Sequence, residues 1–256
     1  MSPFLKTALE AAGAAQEIIL HYYQGKFDVE LKPDQSPVTI ADVEAEESIK
    51  KIILEHFPEH GFFGEETGKT NPDAEYTWLI DPIDGTKSFV RRYAMFSTQI
   101  ALMKGDELIL GVSNAPAFRE MAYAEQGQGA FIHGQALKVS AYTNLSQSAL
   151  SLGNIASLAA SSSWENLGKI ITQVQRIRGY GDFLHYHLLA DGKIDAIIES
   201  NVNVLDVAAL SVIVHEAGGV FTDLFGKPLN LNSTTVLAAA SQELHQQLLQ
   251  SLNYKG

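Results

Sequence analysis

The chain has 256 residues, 46% hydrophobic and 19% charged, so it can bury a sizeable core as one large domain or two packed halves. It contains no cysteine, which excludes disulfides, thiolate metal sites, iron–sulfur clusters and a cysteine nucleophile. Its formal charge is −12, from 18 basic and 30 acidic residues, and a field of this sign disfavours nucleic acid and anionic lipid as partners.

The first residues lack a basic segment followed by an apolar one, and no apolar run has membrane-spanning length. We therefore expect a cytoplasmic protein that does not bind a membrane. The net charge would also repel a phosphorylated ligand, and bound divalent cations are a simple source of local positive charge.

Two helices are predicted to open the chain, at about residues 4–23 and 41–57, because apolar side chains recur at helical spacing. An aromatic and β-branched run, residues 76–80, predicts a strand that stops at the Asp-Pro-Ile-Asp-Gly turn. Residues 96–139 are strand-like with glycine-containing turns, which predicts an antiparallel sheet. The first half is therefore expected to be α+β.

After a polar stretch, residues 140–163, helical and strand patterns alternate as in α/β layers. We predict helices at about 164–175, 182–191, 206–217 and the carboxyl end, and strands between the first two helices, at 194–198, near 220 and at 236–240. These patterns define an α/β fold class with an α+β half, residues 1–140, and an α/β half, residues 141–256.

The turn after the predicted strand carries two carboxylates three residues apart, Asp81 and Asp84. Such a turn can aim both at one hard cation, and a shared carboxylate can hold a second cation nearby. The Ile83 carbonyl lies between them, and Gly85 and Thr86 would begin a helix whose free amides bind phosphate oxygens. Taken alone, this segment is equally explained as an ordinary turn.

Two further acids, Glu65 and Glu66, stand between glycines directly after Phe62-Phe63. An apolar pair is a poor neighbour for charge unless a cation is close. A solvated loop is the alternative interpretation of this segment.

Three segments, in this order and spacing, resemble signatures of the inositol monophosphatase superfamily. They are Gly64-Glu65-Glu66, residues 78–86 (WLIDPIDGT), and residues 205–209 (LDVAA) with 216–219 (EAGG). The resemblance spans nearly the whole chain. It implies a five-layer αβαβα sandwich, a homodimer, and Mg²⁺-dependent hydrolysis of a small phosphorylated metabolite. It also implies two or three Mg²⁺ ions per site, Mn²⁺ as a substitute and Li⁺ as an inhibitor.

The resemblance also implies the roles of individual residues. Glu65, Asp81 and the Ile83 carbonyl would bind the first Mg²⁺, and Asp81, Asp84 and Asp206 the second. Thr86 and Asp42 would steer the attacking water with help from Glu65, so that no phosphoenzyme forms. Gly85 and Thr86 would bind the phosphate, and Lys32 is a weaker candidate for contacting the phosphate or a third metal.

Two of these acids have structural explanations as well. Asp42 is a candidate helix N-cap, and the dipole of a helix starting at Asp206 would favour that carboxylate without a metal. Leu205 departs from the family, in which a tryptophan usually precedes the aspartate. The departure bears on local packing more than on metal binding.

The predicted substrate depends on Asp182 and Glu199. Gly181-Asp182-Phe183 and the segment after it resemble the histidinol-phosphate phosphatase branch, and Glu199 matches the family position that contacts the organic part of the substrate. Asp182 and Glu199 together would favour an ammonium or imidazolium group over a neutral polyol, and histidinol phosphate carries both groups. Asp206 is also expected to contact the substrate. If Asp182 only caps its helix and Glu199 is solvated, inositol 1-phosphate or a range of sugar phosphates is expected.

Other function classes have weaker support. The chain has no Gly-x-Ser-x-Gly elbow, residues 64–70 are one residue short of a nucleotide P-loop, and Leu184 replaces the third glycine of a dinucleotide fingerprint. His185 and His187 are expected to be structural or surface residues. A regulatory or RNA-associated protein that keeps the fold without turnover is the remaining alternative.

Overall fold

A computed structural model describes residues 1–25, 29–31 and 37–255. The helices are α1 (Pro3–Gln24), α2 (Ile40–His56), α3 (Thr86–Val90), α4 (Ile155–Ala160), α5 (Trp164–Ile171), α6 (Asp182–Ala190), α7 (Val204–Glu216) and α8 (Gln242–Leu252). The strands β1 (Val29–Leu31) and β2 (Pro37–Thr39) form a small antiparallel pair before α2.

An eight-stranded sheet occupies the first half of the chain. Its strands are β3 (Gly61–Gly64), β4 (Gly68–Thr70), β5 (Tyr76–Asp84), β6 (Ser97–Lys104), β7 (Glu107–Ala115), β8 (Glu120–Glu125), β9 (Ala130–Ile132) and β10 (Gln135–Ala136). Their order is β10-β9-β8-β7-β6-β5-β3-β4, and every pair is antiparallel except β3 with β5. The predicted antiparallel sheet is confirmed, with the β3–β4 hairpin as an addition.

A five-stranded mixed sheet occupies the second half. Its strands are β11 (Ala149–Gly153), β12 (Arg176–Arg178), β13 (Ala196–Ser200), β14 (Val220–Thr222) and β15 (Thr235–Ala239), in the order β12-β11-β13-β15-β14. The treatment of residues 140–163 as one polar stretch was wrong, because β11 and α4 lie within it. Two leucines of β11, Leu150 and Leu152, are buried beneath α4, α5 and α8.

The helices and sheets stack as five layers. Helices α1 and α2 cover one face of the eight-stranded sheet. Helices α6 and α7 lie between the two sheets, and α4, α5 and α8 cover the outer face of the five-stranded sheet. The predicted αβαβα sandwich is confirmed.

The alternating side chains of β5 contact the layers on both faces of the sheet. Trp78 and Ile80 pack towards α1 and α2, whereas Leu79 faces α7, as expected from alternation along a strand. Leu205 is buried in the same cluster as Leu79, so the residue before Asp206 packs in the apolar layer between β5 and α7.

None of the helices in the described ranges is long and apolar enough to cross a bilayer.

Candidate active site

Three carboxylates meet where β5 ends and α7 begins. A register shift between Asp81 and Asp84 interrupts the pairing of β5 with β6, and such a bulge redirects the side chains around it. Asp206 lies in the first turn of α7. One oxygen from each of Asp81, Asp84 and Asp206 lies within 4.8 Å of the others. The sequence prediction that the strand stops before Asp81 was wrong, since pairing resumes at Asp84 opposite Ser97.

Capping boxes hold two of the predicted site acids. Asp206 accepts a hydrogen bond from the Asn203 backbone N–H (2.9 Å), and Asp42 accepts from the Thr39 N–H (2.8 Å) and the Thr39 hydroxyl (2.6 Å). Asn203 and Thr39 are therefore the N-caps, and each aspartate occupies the third helical position. The interpretations of Asp42 as the N-cap and of Asp206 as the helix start were wrong.

The pKa values of all three aspartates are raised, because negative charge is concentrated at this buried site. Burial, followed by the charges of Glu65 and Asp206, raises the pKa of Asp81 well above its usual value. Burial and the charge of Asp206 shift the pKa of Asp84 in the same direction. Burial of Asp206 raises its pKa to about 7, against the lowering effect of the Asn203 amide. Several buried carboxylates within contact distance are stable together in ionised form only if a cation neutralises them.

Thr86 links the bulge to Asp42. Its hydroxyl donates to the Ile83 carbonyl (2.9 Å) and lies 3.4 Å from Asp42 Oδ1. Asp42 is 1% exposed, and burial raises its pKa to about 6 despite the hydrogen bonds from Thr39. Gly85, before Thr86, has φ +86°, and a Cβ there would lie 2.5 Å from the Met95 carbonyl oxygen. The turn therefore requires glycine.

Glu65 follows β3, and its backbone N–H donates to the Ile80 carbonyl of the neighbouring strand β5 (3.1 Å). This places its side chain beside Asp81, whose pKa it raises. Glu46 of α2 is fully buried and accepts from the backbone N–H groups of Glu66 (2.9 Å) and Thr67 (2.7 Å). Sequence reasoning did not single out Glu46. Its spacing of four from Asp42, on one helix face, was the available signal.

The two predicted specificity residues lie next to the carboxylate cluster. The charges of Asp182 and Glu199 both raise the pKa of Asp84, after burial and Asp206. Asp182 is half-buried with φ +47°, a conformation that is costly for a residue other than glycine, and burial and the charge of Glu199 raise its pKa to about 6.

Glu199 is 5% exposed, so it is not solvated. Its Oε2 accepts from the Tyr186 hydroxyl (2.6 Å) and lies 3.1 Å from His185 Nε2. A Cβ at position 153 would overlap the Glu199 carboxylate, so Gly153 is needed for this packing. His185 and His187 are both buried, and His185 supports the specificity acid instead of lying on the surface. The position of Lys32 lies outside the described residues.

The donor set fits a hard divalent cation. The three aspartates offer oxygen ligands to one centre, and Glu65 lies beside Asp81. Ile83 stands between Asp81 and Asp84, and its N–H donates to Asp81 (3.0 Å). A five-layer αβαβα fold with this buried oxygen cluster is that of a metal-dependent phosphomonoester hydrolase. The chain belongs to the inositol monophosphatase family, whose sequence profile matches residues 1–255.

Three relatives show the extent of the similarity. Histidinol-phosphatase of Mycobacterium tuberculosis is 36% identical over 256 residues, covering 97% of each chain. Inositol monophosphatase 1 of Rattus norvegicus is 32% identical over 259 residues, covering 96% of this chain and 92% of the rat protein. The crystal structure of extragenic suppressor protein suhB from Bartonella henselae matches with a TM-score of 0.89 at 27% identity, covering 98% of both chains. The identities to the histidinol-phosphatase and to the inositol monophosphatase are close, so the substrate must be argued from the site.

Proposed function

We propose that the chain is a Mg²⁺-dependent histidinol-phosphate phosphatase, which converts L-histidinol phosphate and water into L-histidinol and phosphate. The observation that carries the proposal is the second pair of acids, Asp182 and Glu199, beside the Asp84 carboxylate. A substrate bound with its phosphate at the metal cluster would bring its organic part to this pair. The charge of Glu199 raises the pKa of Asp182, so the pair would favour a cationic group between them, and histidinol carries an ammonium group and an imidazole.

This proposal divides the ligands between two Mg²⁺ ions. Glu65, Asp81 and the Ile83 carbonyl would hold one Mg²⁺, and Asp81, Asp84 and Asp206 the other. Mn²⁺ would substitute, and Li⁺ would inhibit. The ions supply charge neutralisation for the phosphate and lower the pKa of a water at the site.

The chain's own groups orient the reactants. The Thr86 hydroxyl donates to the Ile83 carbonyl, which leaves its oxygen free to accept a hydrogen bond from the attacking water. Asp42 Oδ1, 3.4 Å from that hydroxyl, is positioned to accept the proton that water loses, with Glu65 as a second acceptor. The amides of Gly85 and Thr86 would hold phosphate oxygens. The water oxygen bonds to phosphorus and the bond from phosphorus to the ester oxygen breaks in line. The leaving oxygen takes up one proton, which balances the proton that the attacking water gave up.

Inositol 1-phosphate is the second candidate substrate, supported by the 32% identity to rat inositol monophosphatase 1. The test is phosphate release from L-histidinol phosphate and from inositol 1-phosphate with Mg²⁺, assayed side by side, with Asp84→Asn to detect contaminating phosphatases. A strong preference for histidinol phosphate that the variant lacks is expected. A preference for inositol phosphate would reject the proposed substrate and retain the metal site.

Mg²⁺ is expected to raise the midpoint of thermal unfolding by about 5 to 10 °C at pH 8 and by less at pH 6, for a metal concentration near 100 times Kd. The pKa of Asp206 is raised to about 7, and those of Asp81 and Asp84 are raised further, above the unfolded values. The metal-free folded state therefore binds protons that the unfolded state releases, and their stabilising effect is lost as pH rises through these values. Mg²⁺ needs the ionised carboxylates, so protons compete with it at low pH.

Differential scanning fluorimetry at pH 6, 7 and 8, with Mg²⁺ or with a chelator, measures this difference. Groups outside the cluster affect both samples and cancel in the comparison. An Mg²⁺ shift that is the same at all three pH values would contradict binding at this cluster.

A further inference from the structure

A row of buried polar side chains crosses the eight-stranded sheet on the face covered by α6 and α7. Ser97 and Gln99 lie two residues apart on β6 and Ser113 lies on β7, and all three are 0% exposed. The sheet register pairs Asp84 with Ser97 and Gln99 with Ser113. The row therefore starts at the carboxylate cluster and runs away from it across neighbouring strands.

The inner half of the row runs from Gln99 through Ser97 to Asp84. The Gln99 amide nitrogen donates to the Ser97 hydroxyl (2.8 Å), and the Ser97 hydroxyl donates to Asp84 Oδ2 (3.2 Å). The outer half starts from the same amide nitrogen, which also donates to the Ser113 hydroxyl (3.0 Å). Gln99 is thus the centre from which both halves diverge.

The outer half ends on Glu120 of β8. Ser113 Oγ lies 2.9 Å from His187 Nε2, and His187 Nδ1 lies 2.7 Å from Glu120 Oε1. His187 is 2% exposed, whereas 29% of the Glu120 side chain is exposed. The row therefore connects the buried metal cluster with a carboxylate that reaches solvent.

Carboxylates at both ends fix the direction of the hydrogen bonds. With a cation bound, Asp84 is ionised and only accepts, so Ser97 must donate to it and the Ser97 oxygen must accept from Gln99. This places the Gln99 nitrogen, and not its oxygen, between the two serines. Ser113 then donates to His187 Nε2, and His187 donates from Nδ1 to Glu120. Each serine accepts one hydrogen bond from Gln99 and donates one onward, so no two donors or two acceptors face each other along the row.

The row is less favourable for folding than apolar side chains at the same positions would be. Gln99 Oε1 is buried and has no hydrogen-bond partner within the described part of the chain. Nearby side chains on the same sheet face, Ala101 and Ala115, are apolar and fully packed. A buried amide with an unsatisfied oxygen among such neighbours points to a role beyond filling space.

We propose that Ser97, Gln99, Ser113 and His187 form a positioning relay that holds the Asp84 carboxylate in one orientation for cation binding. The relay makes Mg²⁺ affinity depend on side chains that contact neither the metal nor the substrate. It rests on the proposed metal site. None of the four is a catalytic residue, since each acts through Asp84.

Loss of the relay is expected to weaken Mg²⁺ binding to the substrate-free protein. Ser97→Ala and Gln99→Leu should each raise the Mg²⁺ Kd about 10-fold, the lower end of the effect of removing a group that orients a metal ligand. Ser113→Ala should raise it by less, because Ser97 still contacts Asp84. Isothermal titration calorimetry with Mg²⁺ alone measures this, and kcat at saturating Mg²⁺ should return close to the unaltered value.

A double-mutant cycle separates a relay from general damage. Once Ser97 is alanine the outer half no longer reaches Asp84, so adding Ser113→Ala should leave the Kd unchanged. Ser148→Ala is the matched control, since it also removes a buried hydroxyl, one that donates to the Asn144 carbonyl near the other sheet. It should leave Mg²⁺ affinity unchanged. Glu120→Ala changes a side chain that is 29% exposed, so it tests the outer half of the row even if Gln99→Leu fails to fold.

Additive effects of Ser97→Ala and Ser113→Ala on the Kd, or equal Kd values in all variants, would overturn the relay. Failure of the unaltered protein to bind Mg²⁺ would instead reject the metal site of the proposed function.

Discussion

Replacing Asp84 with asparagine is expected to lower kcat/KM for the phosphate monoester by about 10³-fold, or about 4 kcal/mol of transition-state stabilisation. Asp84 is one of three carboxylates within 4.8 Å, and the neutral amide is a poorer ligand for a hard cation. The substitution preserves size and the contact with Ser97, so the loss reports on charge. Initial rates of phosphate release across a Mg²⁺ titration measure it.

The same variant should be more stable than the unaltered protein when both are metal-free. Burial and the charge of Asp206 raise the pKa of Asp84, which means that its ionised form is unfavourable there without a cation. The thermal shift on adding Mg²⁺ should also be largely lost. Asp106→Asn, at an exposed turn, is the control and should change neither quantity. An active Asp84→Asn protein with an intact Mg²⁺ shift would show that the cluster is not the metal site.

The site residues on β5 were predictable because they are close together in sequence. Asp81, Ile83 and Asp84 occur within four positions, so a single turn can bring their oxygens to one point. The bulge that aims them depends on the register with β6, which is set by tertiary pairing and cannot be read locally. The resemblance to the family added Asp206, which is distant in the chain.

Other features needed the folded structure. Strand β11 was missed because it lies in a serine-rich segment. Ser148 directly before it and Ser151 within it are polar, although both side chains are buried. Glu46 reads as a surface acid until its contact with the Glu66 amide is seen. Gln99 gives only a weak local signal, since Ser97 is two residues away on β6 but Ser113 is brought to its amide only by the register with β7.

The capping boxes at Asp42 and Asp206 show why structural and functional interpretations of an acid need not compete. In each residue one oxygen accepts from the N-cap backbone, which satisfies a free amide and fixes the side chain. The second oxygen of Asp42 faces Thr86, and Asp206 contributes an oxygen to the metal cluster. Helix starts therefore supply rigid carboxylates to the site from two distant parts of the chain.

Replacing Glu199 with glutamine is expected to lower kcat/KM for L-histidinol phosphate by about 10- to 100-fold, since a hydrogen bond to a charged group contributes about 1.5 to 3 kcal/mol. The glutamine carbonyl can still accept from the Tyr186 hydroxyl, so this contact is retained and only the charge is lost. Hydrolysis of p-nitrophenyl phosphate, which carries no cation, should change by less than about 3-fold, because the metal cluster is untouched.

Paired assays with the two substrates separate substrate recognition from catalysis. Asp182→Asn should act in the same direction and by less, since Asp182 is half-buried and water can replace part of its interaction with the ammonium group. Glu199→Asp keeps the charge and should retain part of the preference. If Glu199→Gln slows both substrates equally, Glu199 supports the metal cluster and not the organic group, and the preference for a cationic substrate loses its basis.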